Sequence, residues 1–86
     1  MTASPPPPGF HVAGLVVSTA PAYATRVEAQ VSAQPGFMVY ARDHSTGRLV
    51  VTLETGSAQQ QEAGFQWLSA LSGVHAVNLV SHYIDP

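Results

Sequence analysis

The four histidines are the residues whose chemistry first suggests a site, because imidazole binds metals and exchanges protons near neutral pH. His11 and His82 can meet only if the first and last strands are neighbours, and His44 and His75 then lie too far away to complete a site. The chain has no cysteine, and two imidazoles alone do not make a closed zinc centre. We therefore expect no metal and no cofactor, with the histidines solvated or at the edge of the core.

The carboxylates form no catalytic constellation either. They are scattered along the chain, and no serine, histidine and acid are placed to act as a nucleophilic relay. The glycines in PGF (35–37) and STGRL (45–49) lack a phosphate-binding pattern and suit turns. The sequence therefore predicts a protein that is not an enzyme and has no catalytic residues.

The composition excludes several classes of partner. Only 9% of the 86 residues are charged, the net charge is −2, and the three basic residues are all arginine. Nucleic-acid binding needs clustered cations, so we expect none. No apolar run approaches the roughly 20 residues that cross a bilayer, so we expect no membrane insertion. The absence of cysteine fits a cytoplasmic protein.

The chain divides into a tail and one domain. Residues 1–9 contain four consecutive prolines and are predicted to be a flexible tail, while residues 10–86 are predicted to fold. The stretch GFHVAGLVVSTAPAYA (9–24) resembles a cleavable signal in its apolar run and small residues. No lysine or arginine precedes Arg26, however, so we interpret it as folded structure.

The first half of the domain predicts a strand followed by a helix. HVAGLVVS (11–18) has the composition of a buried strand. Pro21 suits the first turn of a helix, with Thr19 or Ala20 as its cap. The helix must end by Gln34, because the proline that follows disfavours helical geometry in the residue before it.

The second half predicts a hairpin, a helix and a last strand. Two apolar runs in FMVYARDHSTGRLVVTLE (37–54) flank a loop with glycine, which is typical of a hairpin. SAQQ (57–60) has the spacing of a capping box, and an apolar stripe follows it. VHAVNLVSHYI (74–84) returns to strand composition. The order β-α-β-β-α-β predicts an α+β, ferredoxin-like sandwich: a four-stranded antiparallel sheet with both helices on one face.

The other face of this sheet, the open face, is left uncovered. At usual strand spacings it measures roughly 300–400 Å², and an apolar patch of that size marks a partner site. Alternation along the strands assigns the residues. The residues predicted to face the helices are Leu15, Val17, Leu49, Val51, Leu53, Val77 and Leu79. Those predicted on the open face are Gly14, Val16, Ser18, Arg48, Val50, Thr52, Glu54, Asn78, Val80 and His82.

With these elements in place, the chain resembles the NapD family of small cytoplasmic chaperones of periplasmic nitrate reductase maturation. The resemblance runs from about Phe10 to Tyr83 and departs from the family pattern at Ser81, where a larger side chain is expected. It depends on the order and spacing of segments that are individually weak. These segments are GLVV (14–17), QPGF (34–37), GRLVVTLE (47–54) and VHAVNLVSHY (74–83).

The resemblance implies a chaperone that binds the twin-arginine signal peptide of the nitrate reductase catalytic subunit and delays Tat export until cofactor loading. We expect the peptide to form an amphipathic helix on the open face, and the protein to be a monomer or weak dimer. The predicted signal-peptide-binding residues are Val16, Ser18, Val50, Thr52, Glu54, Asn78, Val80 and His82.

The alternative is a dimeric ferredoxin-like regulatory module that binds a small effector between protomers. Such a module forms a stable dimer without peptide, whereas the chaperone can be a monomer. Two other functions of the same fold lack their residues here: an acylphosphatase needs a glycine-rich anion loop with its arginine, and a copper chaperone needs a cysteine pair.

Overall fold

The computed structural model describes residues 10–85, which form four strands and two helices in the predicted order. The strands pair antiparallel in the order β2-β3-β1-β4. The predicted ferredoxin-like α+β fold is confirmed, and the predicted tail at residues 1–9 lies outside the described residues. The elements are β1 (Phe10–Thr19), α1 (Ala24–Ala33), β2 (Phe37–Asp43), β3 (Arg48–Thr55), α2 (Ala58–Ser69) and β4 (Val74–Asp85).

The core lies between the sheet and the two helices. Alternate residues of the central strands β1 and β3 are buried, while those between them keep contact with solvent. This confirms the predicted inward orientation of the β1 and β3 leucines and valines. The fully buried large side chains are Leu15, Val17, Val27, Val31, Leu49, Val51 and Leu68.

The start of the first helix differs from the prediction. A single 3₁₀ turn, Pro21–Tyr23, precedes α1, and Ala20 is its N-cap without any side-chain bond. Thr19 is wrong as a cap: it stays in β1, where its hydroxyl donates to the carbonyl oxygen of Gly47 at 3.0 Å. The end of the helix is confirmed, since Gln34 is extended with ψ 128°, as its position before a proline requires.

The β2–β3 hairpin is tied to the end of β1 through Gly47. Its φ of +77° is a region that favours glycine. The amide of Thr19 donates to the Gly47 carbonyl at 2.7 Å, and a Cβ at position 47 would collide with the Thr19 carbonyl oxygen. Both conformation and space therefore require glycine here.

The second helix begins as its sequence predicts. The Ser57 hydroxyl accepts a hydrogen bond from the Gln60 amide at 3.1 Å. The Gln60 side chain in turn accepts from the Gly56 amide at 3.0 Å, one residue before the cap itself. Leu68 is fully buried and Phe65 packs against the core, which confirms the predicted apolar stripe. Within residues 10–85, no helix is long and apolar enough to cross a membrane.

Candidate functional site

The open face consists of the residues that the pairing registers place on the side away from α1 and α2. Residues directly opposite each other on antiparallel strands share a face, so the registers fix its membership. In chain order it comprises Val12, Gly14, Val16, Ser18, Met38, Tyr40, Ala41, Asp43, Arg48, Val50, Thr52, Glu54, Ala76, Asn78, Val80, Ser81 and Tyr83.

Seven of the eight predicted binding residues lie on this face. At its centre, Val16 is paired with Val50 on one side and with Asn78 on the other. Their role in binding stays a prediction. The seven are Val16, Ser18, Val50, Thr52, Glu54, Asn78 and Val80.

A β-bulge in β4 reshapes the edge of the open face. Leu15 pairs with Leu79 and Gly14 with Ser81, which leaves Val80 as an extra residue. An extra residue reverses the alternation of side chains beyond it. Leu79 faces the helices as predicted, but it is 51% exposed because it lies on an edge strand. Val80 and Ser81 both face outward beside Gly14.

His82 is the predicted binding residue that the structure moves off the open face. Beyond the bulge it pairs with Ala13, a buried residue on the helix-covered side. Its Nε2 lies 3.2 Å from Nδ1 of His11, in a hydrogen bond. The assignment of His82 to the open face is therefore wrong, and Tyr83, opposite Val12, lies there in its place. The predicted approach of the two histidines is confirmed.

A bulge in β2 adds an aromatic side chain on the opposite edge. Val39 pairs with Val51 and Ala41 with Val50, so that Tyr40 is the extra residue. Tyr40 is 69% exposed. The alternation of FMVY (37–40) could have placed Met38 and Tyr40 on this face, whereas no sequence signal marks the bulge that exposes Tyr83.

On the open face, a row of smaller residues is surrounded by exposed apolar side chains. Gly14 lies in the middle row, opposite Thr52 and Ser81, and a Cβ on it would meet the Ser81 hydroxyl. The Ser81 hydroxyl therefore occupies the space that a side chain at position 14 would need, with a Val80 methyl beside it. Large side chains stand around the row, with exposed fractions of 58% for Met38, 69% for Tyr40, 40% for Val50, 60% for Val80 and 59% for Tyr83.

The charged side chains of the open face are segregated to its two ends. Among residues 11–83 they are Asp43, Arg48 and Glu54. Arg48 and Asp43 are opposite each other at one end. Hydrogen bonds from the hydroxyl and amide of Ser45 and from the amide of Thr46 hold the pKa of Asp43 below its ordinary value of 3.8. Glu54 stands at the other end, exposed and without an ion pair among the described residues.

A separate ionic cluster lies behind β2, on the helix-covered side. Glu28 of α1 forms ion pairs with Arg42 and with His44, the latter at 2.6 Å. The hydrogen bond from His44, together with the charge of Arg42, holds the pKa of Glu28 below its ordinary value of 4.5. Arg42 is thus directed away from the open face. No group of three or more possible metal ligands occurs among the described residues.

Comparison with known proteins identifies a family and a structural likeness. The family model "NapD protein" matches residues 10–86. The solution structure of the E. coli Tat proofreading chaperone protein NapD is similar to this chain, with a TM-score of 0.82 and 27% sequence identity; the match covers 91% of this chain and 82% of that one. No curated protein sequence matches.

Proposed function

Because the chain belongs to the NapD protein family, we propose that it binds the twin-arginine signal peptide of the periplasmic nitrate reductase catalytic subunit in the cytoplasm. Family membership and the similarity to a Tat proofreading chaperone support a chaperone, not an enzyme. Holding the peptide delays Tat export until the molybdenum cofactor and iron–sulfur cluster are loaded, and it requires no chemistry from the chaperone itself.

The observation that carries this proposal is the apolar surface of the open face. Val50 at its centre and aromatic or aliphatic side chains on both edge strands are exposed on one side of the sheet, and Val16 beside Val50 is partly exposed. An amphipathic helix fits this surface, because its apolar side covers Val16, Val50 and Val80 while its polar side remains in water.

The twin arginines account for the specificity of this binding. An exposed carboxylate such as that of Glu54 accepts two parallel hydrogen bonds from a planar guanidinium, which a lysine ammonium cannot reproduce. Thr52, Ser18 and Asn78 offer additional polar contacts beside the apolar centre. A surface with few charges also limits binding to unrelated cationic peptides.

The energetics favour a complex that can release its peptide. Ordering a flexible peptide costs about 2–5 kcal/mol, which offsets part of the gain from covering the apolar surface. We expect a net binding free energy of roughly 8–10 kcal/mol, which corresponds to dissociation constants from about micromolar to tens of nanomolar. We also propose that the free protein is a monomer or weak dimer.

Calorimetric titration with the twin-arginine leader of the nitrate reductase, beside a twin-lysine version, tests this function. The expected result is binding that weakens when the arginines become lysines. Val50→Glu should abolish most of the binding without unfolding the protein, because a charge would then lie beneath the apolar side of the helix. Ala29→Glu, at an exposed position of α1, is the matched control and should bind normally.

Two outcomes would contradict the proposal. If neither peptide produced heat and light scattering showed a stable dimer, the regulatory effector-binding module would become the better interpretation. Full-strength binding by the Val50→Glu variant would instead show that the peptide lies elsewhere on the protein.

A further inference from the structure

A groove of about 650 Å³ lies at the Glu54 end of the sheet, between α2 and the turn that precedes β2. Phe37 and Trp67 form an aromatic wall, with ring centroids 5.3 Å apart. Leu53 and Ala63 add apolar surface, and Glu54 lies at the rim. Phe37 and Leu53 face the helices, so the groove lies on the helix-covered side of the sheet. It meets the open face at the end of β3, where Glu54 lines the groove and also belongs to the open face.

Close contacts position the two walls of the groove. The Glu54 amide donates to the Gly36 carbonyl at 2.8 Å, which anchors the turn before β2. On the other side, α2 approaches the sheet closely at Gly64, where a Cβ would come within 2.8 Å of Leu53. A hydrogen bond on one side and close packing on the other therefore position both walls.

The charged residues make the two ends of the open face electrostatically different, and the groove lies at the negative end. Glu54 and Arg48 stand at opposite ends of β3, about 20 Å apart at usual strand rise. The Arg48 end also holds Asp43, so its charges cancel, whereas the Glu54 end has one carboxylate without an ion pair among the described side chains. A cationic segment is therefore attracted to the Glu54 end. The Arg48 end, which is neutral overall, exerts no such attraction.

We propose that the groove binds a large apolar side chain next to the twin arginines, while one arginine pairs with Glu54 and the peptide helix runs toward Arg48. This inference depends on the proposed function, since it assumes the same peptide. Successive side chains of an extended segment point to opposite sides. One of them can therefore reach the Glu54 carboxylate while its neighbour enters the space beside Phe37 and Trp67.

Trp67 makes this proposal measurable, because it is the chain's single tryptophan. A leader peptide without tryptophan is titrated into the full-length protein, and Trp67 emission is recorded beside calorimetry on the same samples. We expect an emission shift that saturates with the calorimetric dissociation constant. A quencher on the arginine end of the peptide should reduce the emission more than one on the other end.

The outcomes separate the inference from the proposed function. Calorimetric binding with unchanged Trp67 emission would overturn the groove assignment and leave the chaperone function standing. The absence of heat and emission change would remove both. Stronger quenching from the far end of the peptide would reverse the proposed direction and so reject the inference.

Two exposed alanines, Ala63 in the groove and Ala29 on α1, allow the same substitution to be made inside and outside the groove. Ala63→Phe fills the groove and should weaken peptide binding about tenfold, since burial of one large apolar side chain has effects of that order. Ala29→Phe makes the same change on α1, outside the groove, and should leave affinity unchanged. Equal affinities for the two variants would contradict the proposal.

The chain's own N-terminal segment is the competing occupant. Replacing Pro5–Pro8 with serine in the full-length protein, without peptide, should leave Trp67 emission unchanged. A shift in that variant would assign the groove to residues 1–9 and overturn the proposal.

Discussion

The two faces of the sheet are formed by the same strands but differ in how regularly their side chains alternate. On the helix-covered face, Leu15, Val17, Leu49 and Val51 have no exposed surface, and each residue faces where alternation places it. At the edge strands, three extra residues, Tyr40, His75 and Val80, displace the alternation. The central strands thus keep a regular register while the edges deviate from it.

The alternation differs because burial of the core constrains the register of the central strands more than that of the edge strands. A one-residue slip in β1 or β3 would expose the whole core, so these strands tolerate no bulge. Edge strands have a neighbour on one side only, and a bulge there costs little while it redirects side chains. The binding surface is therefore shaped at the edges, where the core places the weakest constraint on register.

The two faces should differ most in how much their side chains contribute to the free energy of unfolding. Leu49→Ala removes a fully buried side chain and should lower the free energy of unfolding by about 2–5 kcal/mol. Val50→Ala, the adjacent residue on the open face, is 40% exposed and should cost less than about 1 kcal/mol. Urea denaturation measures both. Equal losses would mean that a further layer covers the open face in the free protein.

The β4 bulge predicts that the neighbouring residues His82 and Tyr83 differ in their effects on peptide binding and on stability. Tyr83→Ala removes an exposed aromatic ring from the open face and should weaken peptide binding by about five- to tenfold, or roughly 1 kcal/mol. His82→Ala should leave peptide binding unchanged. It should lower the free energy of unfolding by about 0.5–1.5 kcal/mol, because His11 loses its hydrogen-bond partner.

Calorimetry and urea denaturation on the same two variants decide this prediction. If His82→Ala weakened binding and Tyr83→Ala did not, the strand would follow the simple alternation and the bulge would be absent in solution.

Most of the fold could be predicted from the sequence, but only part of the candidate site could. Strand and helix order, the core leucines and valines, and the Ser57 cap all follow from local patterns, because each depends on residues within one element. The faces of His82 and Tyr83 depend on how β4 aligns with β1, which is a property of the pair. Likewise, the groove beside Trp67 brings residues 34–37 together with residues from the range 53–67, so no local pattern could indicate it.

The smallest expected effect concerns the ionic cluster at the β2 edge of the helix-covered face. The pKa of Glu28 is lowered by the His44 hydrogen bond and the Arg42 charge. A carboxyl whose pKa is lower in the folded state stabilises the protein above its unfolded pKa, and this contribution is lost as the pH falls. Glu28→Gln should therefore cost at most about 1 kcal/mol near neutral pH, since such pairs are partly solvated.

The difference in unfolding free energy between wild type and Glu28→Gln should shrink as the pH falls below about 4.5, the ordinary value for this carboxyl. Glu62→Gln is the control, because Glu62 is exposed on α2 and accepts a hydrogen bond only from Gln66 among the described side chains. A gap between wild type and Glu28→Gln that stayed constant from pH 7 to well below 4.5 would show that the cluster does not bind Glu28 in its charged form. The ionic cluster would then add nothing to the stability of the helix-covered face at its edge. The contrast between the two faces would be confined to the central strands.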